Sequence, residues 1–382
     1  MGSETRMFTP EFASDPPDWL DSQHLQQIIR NEFKTFQKIE SVRLTTIPYG
    51  QRVQIGIRLA GEHDNSTRFV NYQLKAPKLR DLKLPRFQLE VHMHEVVLLA
   101  LESLFNDVQK KISFTPRSYV SKSSLYLDYL PATGYCFVTK LNGLDQLAME
   151  VILSKVAAYH AASACYLQSK PDQLNKFPTS KELDQALEAK RSWIQQQFHE
   201  SLRANDLKHY EDKVKSYQRT LASRGEAPDS KKSFTVILNG ACCSNNLLGQ
   251  FDAFGQLRDV VFNDFGSANI GPAVHDLLQL LLTAPAAKAE RFDGFLRFYV
   301  DELAEILKLL NFKGKIPSLT DIQLDILNYG HWAFETVTET LPIVLGELEC
   351  EDNAEICKLP TYSKEIKTLL PWLENRGYFE VA

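Results

Sequence analysis

Between Phe234 and Phe265 one β-rich stretch interrupts segments that otherwise read as helix, and its punctuation constrains the fold more than any other feature of the chain. Thr235-Val-Ile-Leu238 reads as a short buried strand. It leads into an irregular polar run, Asn239-Gly-Ala-Cys-Cys-Ser-Asn-Asn246. Two apolar runs follow, Leu247–Phe251 and Leu257–Phe262, and the Asp252-Ala-Phe-Gly255 between them is a hairpin turn by composition. The hairpin ends in Asn263-Asp-Phe-Gly266, and Pro272-Ala-Val-His-Asp276-Leu277 comes next. The pattern predicts a small β-structure set within a helical body.

The flanking segments divide by period. Trp19 to Phe36 carries Leu20, Ile28, Ile29 and Phe33 at helical spacing. From Arg52 the period becomes two: Val53, Ile55, Ile57 and Leu59 alternate, Gly61–Asn65 turns, and Arg68–Leu74 returns. The returning strand puts Val70, Tyr72 and Leu74 on one face and Asn71, Gln73 and Lys75 on the other. A helix over Phe87–Phe105 follows, with Leu89, Val96, Leu99 and Leu104, and then strands near Tyr119 and Leu125–Leu130. Beyond Pro131 the character is helical. Met149–Leu167 aligns Ile152, Leu153, Val156, Tyr159, His160 and Ser163, and Thr179-x-x-Glu182 is a capping box opening a long polar helix. This predicts an α+β, bilobal protein with a β-rich N-lobe over 1–131 and a helical C-lobe over 132–382. At 382 residues the chain exceeds a single core.

Bulk properties exclude several classes. Forty-three Lys and Arg against 48 Asp and Glu leave a net charge of −5, which does not suit nucleic acid as the main partner. No run of eighteen apolar residues is present, so no membrane span is expected. The first residues lack a secretory h-region, and Arg6 breaks the myristoylation pattern. Six cysteines without a C-x-x-C pair suit a reduced chain, so a cytoplasmic location is the expectation.

Loop, Asn, hairpin and Asp-Phe-Gly is the order in which protein-kinase-like folds present phosphoryl-transfer machinery, where Asn and Asp hold Mg²⁺ on the phosphates. Upstream, Lys75 on a strand precedes Glu95 on a helix by twenty residues, the separation expected of a phosphate-gripping ion pair. The chain as a whole resembles the insect ecdysteroid kinase-like family, relatives of choline and aminoglycoside kinases. Pro17-Asp-Trp19-Leu20 resembles the family's P-x-W-L opening, and Gly50-Gln-Arg-Val53 its glycine-containing first hairpin. Gln73-Leu-Lys75-Ala-Pro77 resembles its V-K-x-L-P strand, and Ala158-Tyr-His160-Ala-Ala-Ser163 its L-A-x-x-H-A-x-S helix. Leu125-Tyr-Leu-Asp128-Tyr-Leu130 stands at its hinge, and Glu374-Asn-Arg-Gly377 at its terminal R-G.

The resemblance implies ATP and Mg²⁺ as ligands. Lys75 is then the phosphate-pairing lysine, with Glu95 its partner and Glu90 in competition for that role. Asp128 and Leu130 lie beside adenine, and Asn246 and Asp264 hold metal. Asp276 steadies the loop, and His160 is a buried structural histidine rather than a base. The acceptor implied is a hydroxyl on a small lipophilic molecule such as an ecdysteroid.

One departure bears on mechanism. Where the family reads H-G-D-x-W-x-x-N, this chain has Asn239, Gly240, Ala241, Cys242, Cys243, Ser244, Asn245 and Asn246. Asn239 replaces the loop His and Ala241 the catalytic Asp, so no catalytic residue remains there, and general-base help worth roughly 10²–10⁴-fold is missing. Asp252 falls at the hairpin turn and Asp259 on its far strand, so neither replaces it by position. The reading is a pseudokinase that keeps a nucleotide, ligand or protein-partner role. The alternatives are a working small-molecule kinase that tolerates the missing base, since phosphoryl transfer is mostly positioning and electrostatics, or an interaction protein that binds no nucleotide. Cys242 and Cys243 read as drift at a site released from catalysis rather than as a redox pair, and His92 and His94 diverge too far on a helix to share a metal.

Overall fold

A computed structural model describes residues 22–47, 50–61, 67–76, 84–121, 124–177, 188–223, 233–349 and 353–379. Pro17–Leu20, Pro77 and the Thr179–Glu182 capping box lie outside the described residues. The chain divides into two compact units, Met1–Glu95 with Thr115–Gly134, and Val96–Phe114 with Tyr135–Ala382. Residues 96–114, which close the helix after the first unit's strands, therefore group with the second.

The first unit is one antiparallel sheet between two helices. Helix α1 (Ser22–Glu32) is followed by β1 (Phe36–Ile47), β2 (Gly50–Leu59) and β3 (Arg68–Lys75). Helix α2 (Leu84–His92) comes next, and β4 (Ser118–Ser121) and β5 (Ser124–Asp128) complete the sheet in the order β1-β2-β3-β5-β4. Strand pairing separates the two faces of β3. Tyr72 stands opposite Val53, and these join Ile55, Ile57, Leu74 and Tyr126 against Leu25, Ile28 and Ile29 of α1. Lys75 stands opposite Leu125 and Gln73 opposite Leu127, so Lys75 shares the face on which Leu125 and Leu127 pack with Phe87 of α2. A strand of period two thus delivers its lysine to the second helix.

Two local readings are corrected. The opening helix does not reach Phe36, because β1 begins there. That strand is invisible to pattern analysis: it is an edge strand with no fully buried residue and two register shifts. The helix expected over Phe87–Phe105 contains a π turn at Met93–Val97 between α2 and α3 (Leu98–Asp107). The residue inserted by that turn changes the helical phase. Val97, Leu98, Leu101 and Phe105 are buried, while Val96 and Leu99 point outward.

The second unit is built round helix α4 (Gln146–Ser169). Its expected stripe is buried, and so are Ala157, Ala161 and Ala162 on its other sides, as befits a helix enclosed by its neighbours. Asp145 caps it by accepting from the Ala148 N–H at 2.9 Å. The β-island forms as predicted. Strand β7 (Thr235–Leu238) pairs with β10 (Asn269–Pro272), and the hairpin of β8 (Leu247–Phe251) and β9 (Leu257–Phe262) is joined by β6 (Tyr135–Phe137). Helix Val274–Thr283 follows β10, and further helices run from Lys288 to Asn375. The fold is α+β, with a β-sheet N-terminal unit and a mostly helical C-terminal unit. Among the described residues no helix is long and apolar enough to cross a membrane.

Candidate functional site

In the first unit, Lys75 Nζ meets Glu90 Oε1 at 2.5 Å, with the two side chains only 3% and 1% exposed. Glu95, expected as the partner, is exposed. Five residues separate the two glutamates, about 140° round an ideal helix, so both cannot face β3. Glu90 lies on the face that carries Phe87 and Leu89 inward, and Glu95 falls within the π turn. His94 is buried nearby. Burial, with the Lys75 charge second, pushes its imidazole down to about 3, so it is neutral at ordinary pH.

Asp128 ends β5, and Leu130 follows it. Asp128 sends its carboxylate to the Arg117 guanidinium, with Nε donating to Oδ2 at 3.1 Å. Burial pushes that carboxyl up against the opposing pull of Arg117. Its side chain is therefore engaged in a surface network with Arg117. Leu130 opens a 3-10 turn and is partly exposed. As the first residue of that turn its N–H has no acceptor within it.

In the second unit, the loop from Asn239 to Asn246 is fixed at both ends. Asp276, wholly buried at the start of helix Val274–Thr283, accepts from the backbone N–H of Asn239 at 2.6 Å and of Gly240 at 2.9 Å. His160 Nε2 lies 3.3 Å from Asp276 Oδ2, and His160 Nδ1 lies 2.8 Å from the Tyr299 hydroxyl. A carboxylate can only accept, so in the neutral imidazole Nε2 carries the proton and Nδ1 accepts from Tyr299. Ser163, one turn along α4, accepts from the Ile237 N–H at 3.2 Å. The helix hallmark and the Asp276 anchor are thus parts of one scaffold behind the loop.

Gly240 takes a left-handed φ of +78°. A Cβ there would lie 2.0 Å from the Ser267 carbonyl oxygen, so only glycine lets this backbone pass so close to the segment after Asp264. Asn239 ties the same two segments together: its Nδ2 donates to the Asp264 carbonyl at 2.7 Å, and its Oδ1 accepts from the Ala241 N–H at 3.2 Å. The Cys242 N–H donates to Gln279 at 2.9 Å. Asparagine thus serves the bridging geometry of the loop, and sequence reasoning did not foresee that role.

Asn246 donates through Nδ2 to the Ala241 carbonyl at 2.9 Å, and its own carbonyl accepts from the Asn263 N–H at 2.9 Å. Asp264 Oδ1 accepts from the Gly266 N–H at 2.8 Å. Among the described residues nothing donates to Asn246 Oδ1 or Asp264 Oδ2. The two segments therefore each present one hard oxygen, the donor type that suits Mg²⁺. Among the described residues no group of three or more His, Cys, Asp or Glu could hold a metal alone. An ion at Asn246 and Asp264 would need phosphate and water oxygens to complete its shell, as Mg²⁺ at nucleotide sites does.

Ala241 presents only a methyl group. Cys242 and Cys243 are buried, and burial first of all pushes both thiols up, so neither is a ready thiolate. One carboxylate near this loop was not legible in the sequence. Glu347, on helix Leu341–Glu349, accepts from Asn245 Nδ2 at 2.7 Å. It lies 102 residues away in the chain, and no local pattern points to it.

The family model for ecdysteroid kinase-like proteins matches residues 51–312. No curated protein matches. Among solved structures, the chain is similar to a Ralstonia eutropha protein described as an aminoglycoside phosphotransferase, with 11% identity and a TM-score of 0.45 over 93% of this chain and 98% of that one. It is also similar to an ethanolamine kinase from Plasmodium vivax, with 10% identity and a TM-score of 0.36 over 94% and 87%. A third is APH(2'')-IIa, solved as a ternary complex with streptomycin and ATP, with 14% identity and a TM-score of 0.36 over 92% and 96%.

Proposed function

Because the chain belongs to the ecdysteroid kinase-like family, we propose that it is a small-molecule kinase-like protein that binds ATP with Mg²⁺ and has lost, or nearly lost, phosphoryl transfer. The observation that carries this reading is the state of the loop Asn239–Asn246. Its scaffold of Asp276, His160, Ser163 and Asn239 is bonded throughout, and its metal-type oxygens at Asn246 and Asp264 remain, while residue 241 has no proton acceptor.

In this reading Lys75, steadied by Glu90, binds nucleotide phosphate, and backbone at Asp128 and Leu130 meets the base. Asn246 Oδ1 and Asp264 Oδ2 would hold Mg²⁺, whose chemistry is to neutralise charge on the phosphates. The protein's remaining role is to bind: nucleotide first, and with it a small lipophilic alcohol such as an ecdysteroid, or a protein partner.

Thermal unfolding with and without Mg²⁺ and ATP tests the proposal. Ligand at about 100 times its dissociation constant stabilises the folded state by roughly 2.7 kcal/mol. The wild-type chain should show that gain and Asp264→Ala should not. No gain in the wild type would make this an interaction protein without a nucleotide.

A further inference from the structure

The sheet face that carries Lys75 holds a second cation, Arg52. Strand pairing sets Arg52 opposite Gln73 and Gln54 opposite Asn71, so Arg52 and Asn71 share that face with Lys75. Lys75 is paired with Glu90. Arg52 is not paired in this way: among the described residues no carboxylate bonds it. Its Nε and Nη2 both donate to Asn71 Oδ1, at 3.0 and 2.9 Å, and its guanidinium carbon lies 4.9 Å from the centroid of the Tyr129 ring. Its Nη1 has no acceptor among the described residues.

These contacts fix where the charge sits. Asn71 lies four residues before Lys75 on β3, about 13 Å at roughly 3.3 Å per residue, so the guanidinium is drawn away from the phosphate-gripping lysine. It is drawn toward the chain that leaves β5. There the Tyr129 N–H donates to the Asn71 carbonyl at 3.1 Å, and Tyr129 stands between Asp128 and Leu130, the two positions proposed to meet the base. Arg52 is half-buried. A guanidinium is planar and weakly hydrated, and it stacks on aromatic faces where an ammonium keeps its water. A plane has two faces, and a ring set against one leaves the other for a second flat π-system.

We propose that Arg52 stacks on the base of the bound nucleotide with Tyr129 as its backing, and that its charge serves this contact rather than a phosphate. The inference rests on the nucleotide-binding reading above and deepens it. The ligand selected is a polyphosphate joined to a flat base, not a polyphosphate alone. Every base has a π-face, so the stack demands a base without choosing among bases.

Calorimetric titration of the full chain, in Mg²⁺, with ATP and with inorganic tripolyphosphate separates the base from the phosphates. The wild-type chain should bind ATP the more tightly of the two. Arg52→Ala should weaken ATP by about tenfold or more and leave tripolyphosphate unchanged. Arg52→Lys keeps the charge without the plane, and should stay nearly as weak for ATP as Arg52→Ala. Four outcomes would each overturn the inference: wild-type binding of ATP no tighter than of tripolyphosphate, unchanged ATP affinity in Arg52→Ala, an equal fall for both ligands as a phosphate contact or a damaged fold would give, or full ATP affinity in Arg52→Lys. A wild-type chain that binds neither ligand overturns the underlying reading as well.

Discussion

At position 241 a methyl group stands where the family has a carboxylate, yet the backbone on either side is held by named bonds from Asn239, Asn246 and Gln279. The substitution is confined to the atoms that handle a proton. Lys75 is the opposite case, with its charge retained and buried against Glu90. Removing one member of a buried pair leaves an uncompensated charge, so Glu90→Gln should cost about 3–5 kcal/mol in denaturant unfolding, whereas Glu95→Gln, on the exposed face, should change stability by less than about 0.5 kcal/mol. His94 adds a pH dependence. Its folded value of about 3 lies below the ordinary 6.5, so the unfolded chain binds more protons between these limits. The stability this group contributes is complete above pH 6.5 and is lost as pH falls toward 3, by a few kcal/mol in all. His94→Gln should flatten that part of a plot of unfolding free energy against pH. Lys75 was legible because a strand's period assigns it a face. Its partner was not, because the choice between Glu90 and Glu95 depends on helix phase and on a π turn that no residue pattern announces.

Among the elements, the junction of β7, the loop and helix Val274–Thr283 carries the site. Asp276 caps no helix of its own; it reaches back to two amides at the end of β7. Asp276→Ala strands those two donors and the His160 contact, at about 1–3 kcal/mol for each buried group left unsatisfied, and calorimetric unfolding should show a loss of at least about 3 kcal/mol. Gly240→Ala should be as damaging, since it meets both a left-handed φ and the Ser267 carbonyl. The β-island was readable because its strands are short, apolar and separated by turn residues. Strand β1 was not, since its core-side residues Phe36, Ile39, Val42 and Leu44 are only partly buried and two register shifts break their period of two. Helix α4 was readable as a helix, but its burial on every side shows only in its packing.

On the scale of the whole molecule, two units with separate cores carry the two sets of charged groups, Lys75 with Glu90 in one and Asn246 with Asp264 in the other. Family and fold class followed from short motifs in a fixed order, because each motif marks a backbone event: a strand end, a tight loop, a hairpin, a helix start. The bridge from Glu347 to Asn245 did not, since it joins positions that share no local pattern. The central claim is that a nucleotide grip survives in a chain whose loop has lost its carboxylate. The direct measurement is ATP hydrolysis by Ala241→Asp beside the wild type, at saturating Mg²⁺ and nucleotide. The account predicts a gain of about tenfold or more at unchanged nucleotide affinity. A variant that binds nucleotide as the wild type does and hydrolyses it no faster would contradict it.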